Sequence, residues 1–281
     1  MDPVPVTAIR VATWNLWWRF GDPERRRPAI TAVLRELDAD VVGLQEVWSL
    51  EGDDLAGGLA AELDRHVAFA PVPDASPWTD RLGDARYGLG NAVLSRWPLR
   101  DVHTEVLPAG GQAQVLLSVV ADTPAGSLRC VTTHLTPSLT ASAQRVEQVR
   151  AVARHVATAD ATDLAPVVVG DFNAEPASDE MRLLEGHLTA PAEPGLLLAD
   201  TWRWATGSDR WDGATWRPDN PAVAARGEPP SRVDHVLLGL GRGRVPIRVE
   251  RVGLFGTGPW HEVWPSDHAG VVVDLQAGNR G

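Results

Sequence analysis

Apolar, β-branched runs recur along the chain at residues 8–14, 40–45, 91–95, 115–120, 128–135, 166–170, 233–238 and 270–275. Each has strand length, and several are apolar at consecutive rather than alternate positions, which predicts strands buried on both faces. Within them, "LLSVVADTPAGSLRCVTTHL" predicts a hairpin turning over Thr123, Pro124, Ala125 and Gly126. Helical spacing replaces the strand pattern elsewhere. "PAITAVLRELDA" predicts a helix starting near Pro28, and in "TASAQRVEQVRAVARHVATA" the residues Ala143, Val146, Val149, Ala153 and Val156 recur at intervals of three and four. A third helix is expected after Ser178. Helices mixed with hairpins predict an α/β (α+β) chain with mixed sheets. There is no repeat and no linker, so residues 1–281 read as a single domain.

Polar residues gather where the apolar runs stop. "APVVVGDFNAEPAS" passes from valines to Asp171 and Asn173 within a few residues, the signature of the carboxyl edge of a central strand. Asn15 closes "TWNL", Gln45 and Glu46 close the start of "GLQEVW", and His134 closes "THLTP". Asp234 opens "DHVLL", and Asp267 with His268 precedes the last run. Taken singly, each has a plain structural reading as a cap, a surface pair or a turn. Together they offer hard carboxylate oxygens and two histidines. That inventory suits Mg2+ or Mn2+, which keep waters and take further ligands from substrate phosphate, and it equips a metal-assisted phosphoester hydrolase.

Composition narrows the class. The chain is 44% apolar with net charge −11, which is unfavourable for coating nucleic acid by bulk electrostatics but leaves room for local grip on one phosphate. There is no lysine, so a lysine nucleophile, a Schiff base and a Walker-type phosphate loop are excluded. The one cysteine, Cys130, reads as a buried strand residue. No run approaches the roughly 18 apolar residues of a membrane span, and the start lacks a signal-peptide pattern, so a cytoplasmic protein without membrane insertion is expected.

"TWN", "LQE", "THL", "GDFN", "RVDHVL" and "SDH", in that order, closely resemble the endonuclease/exonuclease/phosphatase superfamily of deoxyribonuclease-like enzymes, from residue 9 to about 275. The resemblance implies a four-layer α/β sandwich, two mixed sheets packed face to face with helices outside. It implies Mg2+ or Mn2+ held by Glu46, with Asn15 beside it and Asp267 near the metal. It also implies that Asp171 activates water, that Asn173 holds water and a phosphoryl oxygen, and that His268, oriented by Asp234, stabilises phosphoryl charge. His134 would bind phosphate or assist the leaving oxygen. In the deoxyribonuclease type an acidic residue near positions 86–91 supports that histidine; "RYGLGN" has none, leaving Asn91 as the substitute. Trp48 stands where abasic-site endonucleases usually carry lysine, which counts against that branch. The expected activity is hydrolysis of a phosphodiester, possible substrates including nucleic acid, by a monomer. A phospholipid (sphingomyelinase-like) or inositol-phosphate hydrolase is the enzymatic alternative, and a catalytically silent binding module the non-enzymatic one.

Twelve tryptophans stand against four phenylalanines and one tyrosine. Trp14, Trp17, Trp18, Trp48, Trp260 and Trp264 lie within seven residues of Asn15, Glu46 or Asp267. Residues 200–229 hold four more and read as a wall or lid, in which Trp211 and Trp216 are candidate substrate contacts. An aromatic rim of this kind suits bases, an aromatic leaving group or a lipid chain. Arg25, Arg26 and Arg27 read as a solvated surface preceding the first helix.

Overall fold

The computed structural model describes residues 7–108, 110, 112–206, 213–243 and 245–278. In chain order its elements are β1 (Thr7–Asn15), α1 (Pro23–Leu37), β2 (Val41–Ser49), α2 (Leu55–Leu63), β3 (His66–Pro71), α3 (Ser76–Leu82), β4 (Gly88–Ser95), β5 (Leu99–Val106), β6 (Val115–Thr123) and β7 (Gly126–His134). There follow α4 (Ser142–Thr158), β8 (Val167–Asp171), α5 (Asp179–Glu185), β9 (Leu197–Asp200), a 3-10 turn (Thr201–Trp204), α6 (Pro221–Ala224), β10 (Asp234–Leu240), β11 (Ile247–Phe255) and β12 (Gly270–Ala277). The strands form two mixed six-stranded sheets, ordered β11-β12-β1-β2-β4-β3 and β5-β6-β7-β8-β10-β9.

The period-two geometry of strands explains why whole runs are apolar. In the second sheet Leu117, Cys130, Val167, Val169, Val236 and Leu238 share a core with the first sheet. Their neighbours Leu116, Val131, Val168 and Leu237 point the other way, onto Val149, Val152 and Val156 of α4 and Met181 and Leu184 of α5. On the far side α1 and α2 cover the first sheet through Ile30, Leu34, Leu55 and Leu59. The result is a helix–sheet–sheet–helix sandwich, as the resemblance implies. Cys130 is fully buried, and burial pushes its thiol up to about 12. No helix among the described residues is long and apolar enough to cross a membrane.

All eight apolar runs are strands, and the hairpin turns between Thr123 and Gly126. The four strands without a readable run, β3, β5, β9 and β11, are the four edges of the two sheets. An edge strand is covered less completely, and polar side chains there discourage pairing with another chain. β5, "LRDVHTEV", is exposed at most positions, and β11 mixes Arg248, Glu250 and Arg251 with Val249 and Val252. The first helix also departs from expectation. It starts at Pro23 behind the Asp22 cap, so Pro28 lies inside it and Arg25, Arg26 and Arg27 are helical. Arg26 is buried at 3% exposure, not solvated.

The two sheets meet closely at Gly43 of β2. A Cβ there would lie 2.4 Å from Val169 Cγ2 and 2.9 Å from Thr132 Oγ1, both on the opposite sheet. Beside it Gln45 Nε2 donates to Thr132 Oγ1 at 2.8 Å, so the sheets are fixed by both steric fit and a buried hydrogen bond. Gly43→Ala is expected to lower unfolding stability by about 1–3 kcal/mol through overpacking, measured by urea denaturation. An unchanged midpoint would show that the sheets separate at little cost.

Candidate active site

Strand register builds one half of the site. β7 and β8 are parallel and pair His134 with Asp171 at their carboxyl ends, while antiparallel β10 pairs Asp234 with the same Asp171. Three neighbouring strands thus end in a row of His, Asp and Asp. The other half comes from the facing sheet, where parallel β1 and β2 align Asn15 with Gln45. Between Leu44 and Val47, β2 carries one residue more than its partner β4, and Glu46 takes a positive φ of 51°. This bulge lets consecutive side chains, Gln45 and Glu46, both reach toward the second sheet.

The segment leading into β12 is clamped onto the same end. Ser266 Oγ donates to the Asn15 carbonyl at 2.6 Å, and Trp14 Nε1 donates to the His268 carbonyl at 2.9 Å. Arg26 supplies the main brace. Its guanidinium donates to the carbonyls of Leu16, Trp17, Trp18, Phe20 and Pro265, joining the loop after β1 to the loop before Asp267. Burial lowers its pKa to about 10, which leaves it charged at neutral pH.

Asp171 lies at the centre. Its Oδ1 accepts from the Asn173 backbone N–H at 2.9 Å and its Oδ2 from Asn15 Nδ2 at 2.9 Å. His134 Nε2 is 3.6 Å and His268 Nε2 3.8 Å from that Oδ2. Asn15 Nδ2 also donates to Glu46 Oε1 at 3.1 Å, while its Oδ1 accepts from the Trp17 N–H at 2.9 Å. Asn173, at φ 47°, donates its side-chain amide to the Leu135 carbonyl at 3.0 Å. His268 Nδ1 and Asp234 Oδ2 are 2.8 Å apart, so the ring is held from behind while Nε2 faces Asp171.

Burial dominates the electrostatics. It pushes the Glu46 carboxyl up to about 6, aided by the nearby Asp267 and opposed by His134 and the Asn15 hydrogen bond. It raises Asp267 and Asp234 as well. Burial alone would lower His268, but the charges of Asp234 and Asp171 outweigh it and hold the imidazolium well above the usual histidine range. Two further observations fit a divalent cation. Glu46 Oε2 is buried without a hydrogen-bond partner, and a second buried carboxylate, Asp267, repels it. The oxygen donors are the hard kind that such ions take. Asp171, Asp234 and His268 also bring ligand atoms to within 4.8 Å of one another.

These groups open into a cleft of about 290 Å³. Glu46, His134, Asp171, Asn173, Trp216, Asp267 and His268 line it, with Asn15 and Asp234 directly behind through the hydrogen bonds above. A larger cavity, about 670 Å³ between α1 and β11–β12, contains none of them. The Trp216 ring meets His268 edge-on with centroids 5.0 Å apart, making it a wall against that histidine. Asn91 is not among the residues lining the cleft; it is buried and donates to the Val115 carbonyl, tying β4 to β6 across the sheets. Trp211 lies outside the described residues. Trp14, Trp18 and Trp48 are core residues.

The cleft also has members that sequence reasoning missed, Phe20, Trp78 and Arg81. With Trp17 of the expected aromatic rim, Phe20 and Trp78 form an aromatic wall, and Arg81 and Arg226 stand at its mouth. Arg81 lies over Phe20 at 4.9 Å and Arg226 over Trp216 at 5.1 Å. Trp78 comes from the short α3, whose "SPWTDRL" carries no motif. Arg26 did leave a signal: it stands four residues before Ile30 and eight before Leu34, on the buried stripe of α1.

Comparison with curated protein sequences gives no match. Among solved structures, an endonuclease/exonuclease/phosphatase from Beutenbergia cavernae is 26% identical with a TM-score of 0.69, over 96% of this chain and 72% of that one. D. rerio TDP2 complexed with single strand DNA product is 19% identical, TM-score 0.71, covering 96% and 99% of the two chains. The human Nocturnin catalytic domain with bound sulfate anion is 19% identical, TM-score 0.68, covering 98% and 97%. The endonuclease/exonuclease/phosphatase family model matches residues 12–268. The motif order, the two six-stranded sheets and that match agree, and the chain belongs to the endonuclease/exonuclease/phosphatase family.

Proposed function

We propose that the protein is a metal-dependent phosphodiesterase that hydrolyses a nucleic-acid phosphodiester or a related one. The observation that carries this reading is the position of Asp171, a buried carboxylate with two imidazole Nε2 atoms within 4 Å and a second sheet's Glu46 reached through one shared asparagine. Glu46 and Asp267 would hold Mg2+ or Mn2+, since His268 Nδ1 is already committed to Asp234. A cation bound there would stabilise negative charge on a phosphoryl oxygen.

The remaining roles follow from the donors and acceptors present. Each Asp171 oxygen accepts one N–H and keeps a lone pair for a water, whose proton it takes as that water attacks phosphorus. Asn15 positions Asp171 against Glu46, and Asn173 fixes the other carboxylate oxygen through its backbone. His268, imidazolium because of Asp234, donates to the charge developing on the phosphoryl group. His134, on the opposite flank of Asp171, donates to phosphate or to the leaving oxygen. Arg81 and Arg226 supply the positive charge at the cleft mouth that an otherwise acidic protein needs to take a polyanion.

A panel of an aryl phosphodiester, plasmid DNA, RNA, a tyrosyl-linked oligonucleotide, sphingomyelin and inositol phosphates tests the substrate class. Arg81→Ala with Arg226→Ala should raise KM for a single-stranded oligonucleotide and reduce the salt slope of binding by roughly 0.7 per lost contact, leaving the aryl diester unaffected. Preference for sphingomyelin or inositol phosphate would move the assignment to that branch. No turnover of any substrate with added Mg2+ or Mn2+ would leave a binding module.

Asp171→Asn is expected to lower kcat by about a hundredfold or more while metal and substrate still bind, because the amide keeps the shape but takes no proton. Glu46→Gln should instead raise the Mg2+ concentration needed for half-maximal activity, and excess metal should rescue it. Identical responses of the two variants to a Mg2+ titration would contradict this division.

Asp234→Asn should shift the basic limb of the pH–kcat profile to lower pH. The sign follows from His268, whose raised pKa keeps the imidazolium present until pH climbs through it; removing the carboxylate lowers that pKa. An unmoved limb would reduce Asp234 to a packing residue.

A further inference from the structure

A second constellation lies outside the cleft, on the outer face of the second sheet. His103 and Glu105 stand two residues apart on the edge strand β5, so their side chains share one face. His155 of α4 meets them there. Its ring stacks on that of His103 with centroids 4.9 Å apart and planes within 11°. His103 Nε2 is 3.9 Å from Glu105 Oε2, and the three residues have ligand atoms within 4.8 Å of one another. None of them lines the catalytic cleft.

We propose that His103, Glu105 and His155 form a transition-metal site that binds Zn2+ in preference to Mg2+. Two imidazoles and one carboxylate are the donor set of borderline ions, whereas Mg2+ takes oxygen. His155 Nε2 is buried and has no hydrogen-bond partner, a ring nitrogen held away from water with nothing to satisfy it. The ligand atoms must close to bonds of about 2.0–2.2 Å, which requires His103 to turn out of its parallel stack. His103 and Glu105 have side chains 53% and 37% exposed, so both can rotate while His155 stays fixed in its helix. Arg129 is the opposing charge nearby. It is held by Ser118 Oγ and the Asp160 carbonyl, and it weakens the site without blocking it.

Occupancy would pin an edge strand to the helix that covers it. Such a clamp is chemically separate from the catalytic cation: it prefers nitrogen donors, and its ligands are remote from Glu46 and Asp267 in sequence.

The test is equilibrium dialysis of the full chain against Zn2+ in excess Mg2+, with bound metal counted by elemental analysis. The wild type should retain one more equivalent of Zn2+ than His103→Ala or His155→Gln, and Glu105→Gln should weaken the same equivalent by at least about tenfold. His103 is half-exposed, so its variant should fold, as circular dichroism will verify. With Co2+ in place of Zn2+, a four-coordinate ligand-field spectrum should appear in the wild type and vanish in His103→Ala. Equal Zn2+ counts for wild type and His103→Ala would overturn the proposal, as would retention of the extra ion by His155→Gln.

Discussion

One amide group couples the two halves of this molecule. Asn15 Nδ2 donates to Glu46 on its own sheet and to Asp171 on the other, while its oxygen is held by the Trp17 N–H. Two buried carboxylates are thereby kept close without an ion pair between them, an arrangement that costs solvation energy in both groups. The sheet interface below makes it possible. Gly43 lets the sheets approach, Gln45 bonds across them to Thr132, and the ends of β1, β2, β7 and β8 then converge. A cation between Glu46 and Asp267 would relieve the repulsion that burial concentrates there, so the fold's least favourable electrostatics and its chemistry occupy the same place.

Arg26 solves a related problem with backbone. The loop after β1 contains two tryptophans in the left-handed region, Trp17 and Trp18, and their carbonyls face inward with no strand to receive them. A planar guanidinium satisfies five such carbonyls at once, which an ammonium with three donors cannot do. Because one of the five belongs to Pro265, the same side chain fixes the approach to Asp267 and His268.

The legibility of this protein in its sequence follows burial. Central strands packed on both faces, such as β8 with Val167, Val168 and Val169, leave long apolar runs, and the polar residues beside them mark the edge where the cleft opens. His134, Asp171 and Asp234 could therefore be named before their register was seen. Edge strands gave no such run because half their surroundings are water and their residues serve against aggregation. The cleft wall was hidden for another reason. Phe20, Trp78 and Arg81 come from a loop and a short helix whose positions depend on tertiary packing, with no spacing to announce them. Asn91, named from its motif position as support for His134, uses its amide to join two strands.

The bulge in β2 has a consequence for how this lineage can change. Substitutions leave the strand's count of residues intact, so the aim of Glu46 survives them. Loss of one codon between Leu44 and Val47 would restore strict alternation by deleting Gln45 or Glu46, and with it either the inter-sheet bond or the carboxylate in the cleft. Insertions and deletions are therefore forbidden across these few positions. A second constraint lies between Thr215 and Ser231, where Trp216 pairs with both Ser231 and His268 and Asn220 Nδ2 donates to the Ser266 carbonyl, so a change of length there would move the wall of the cleft and with it the choice of substrate.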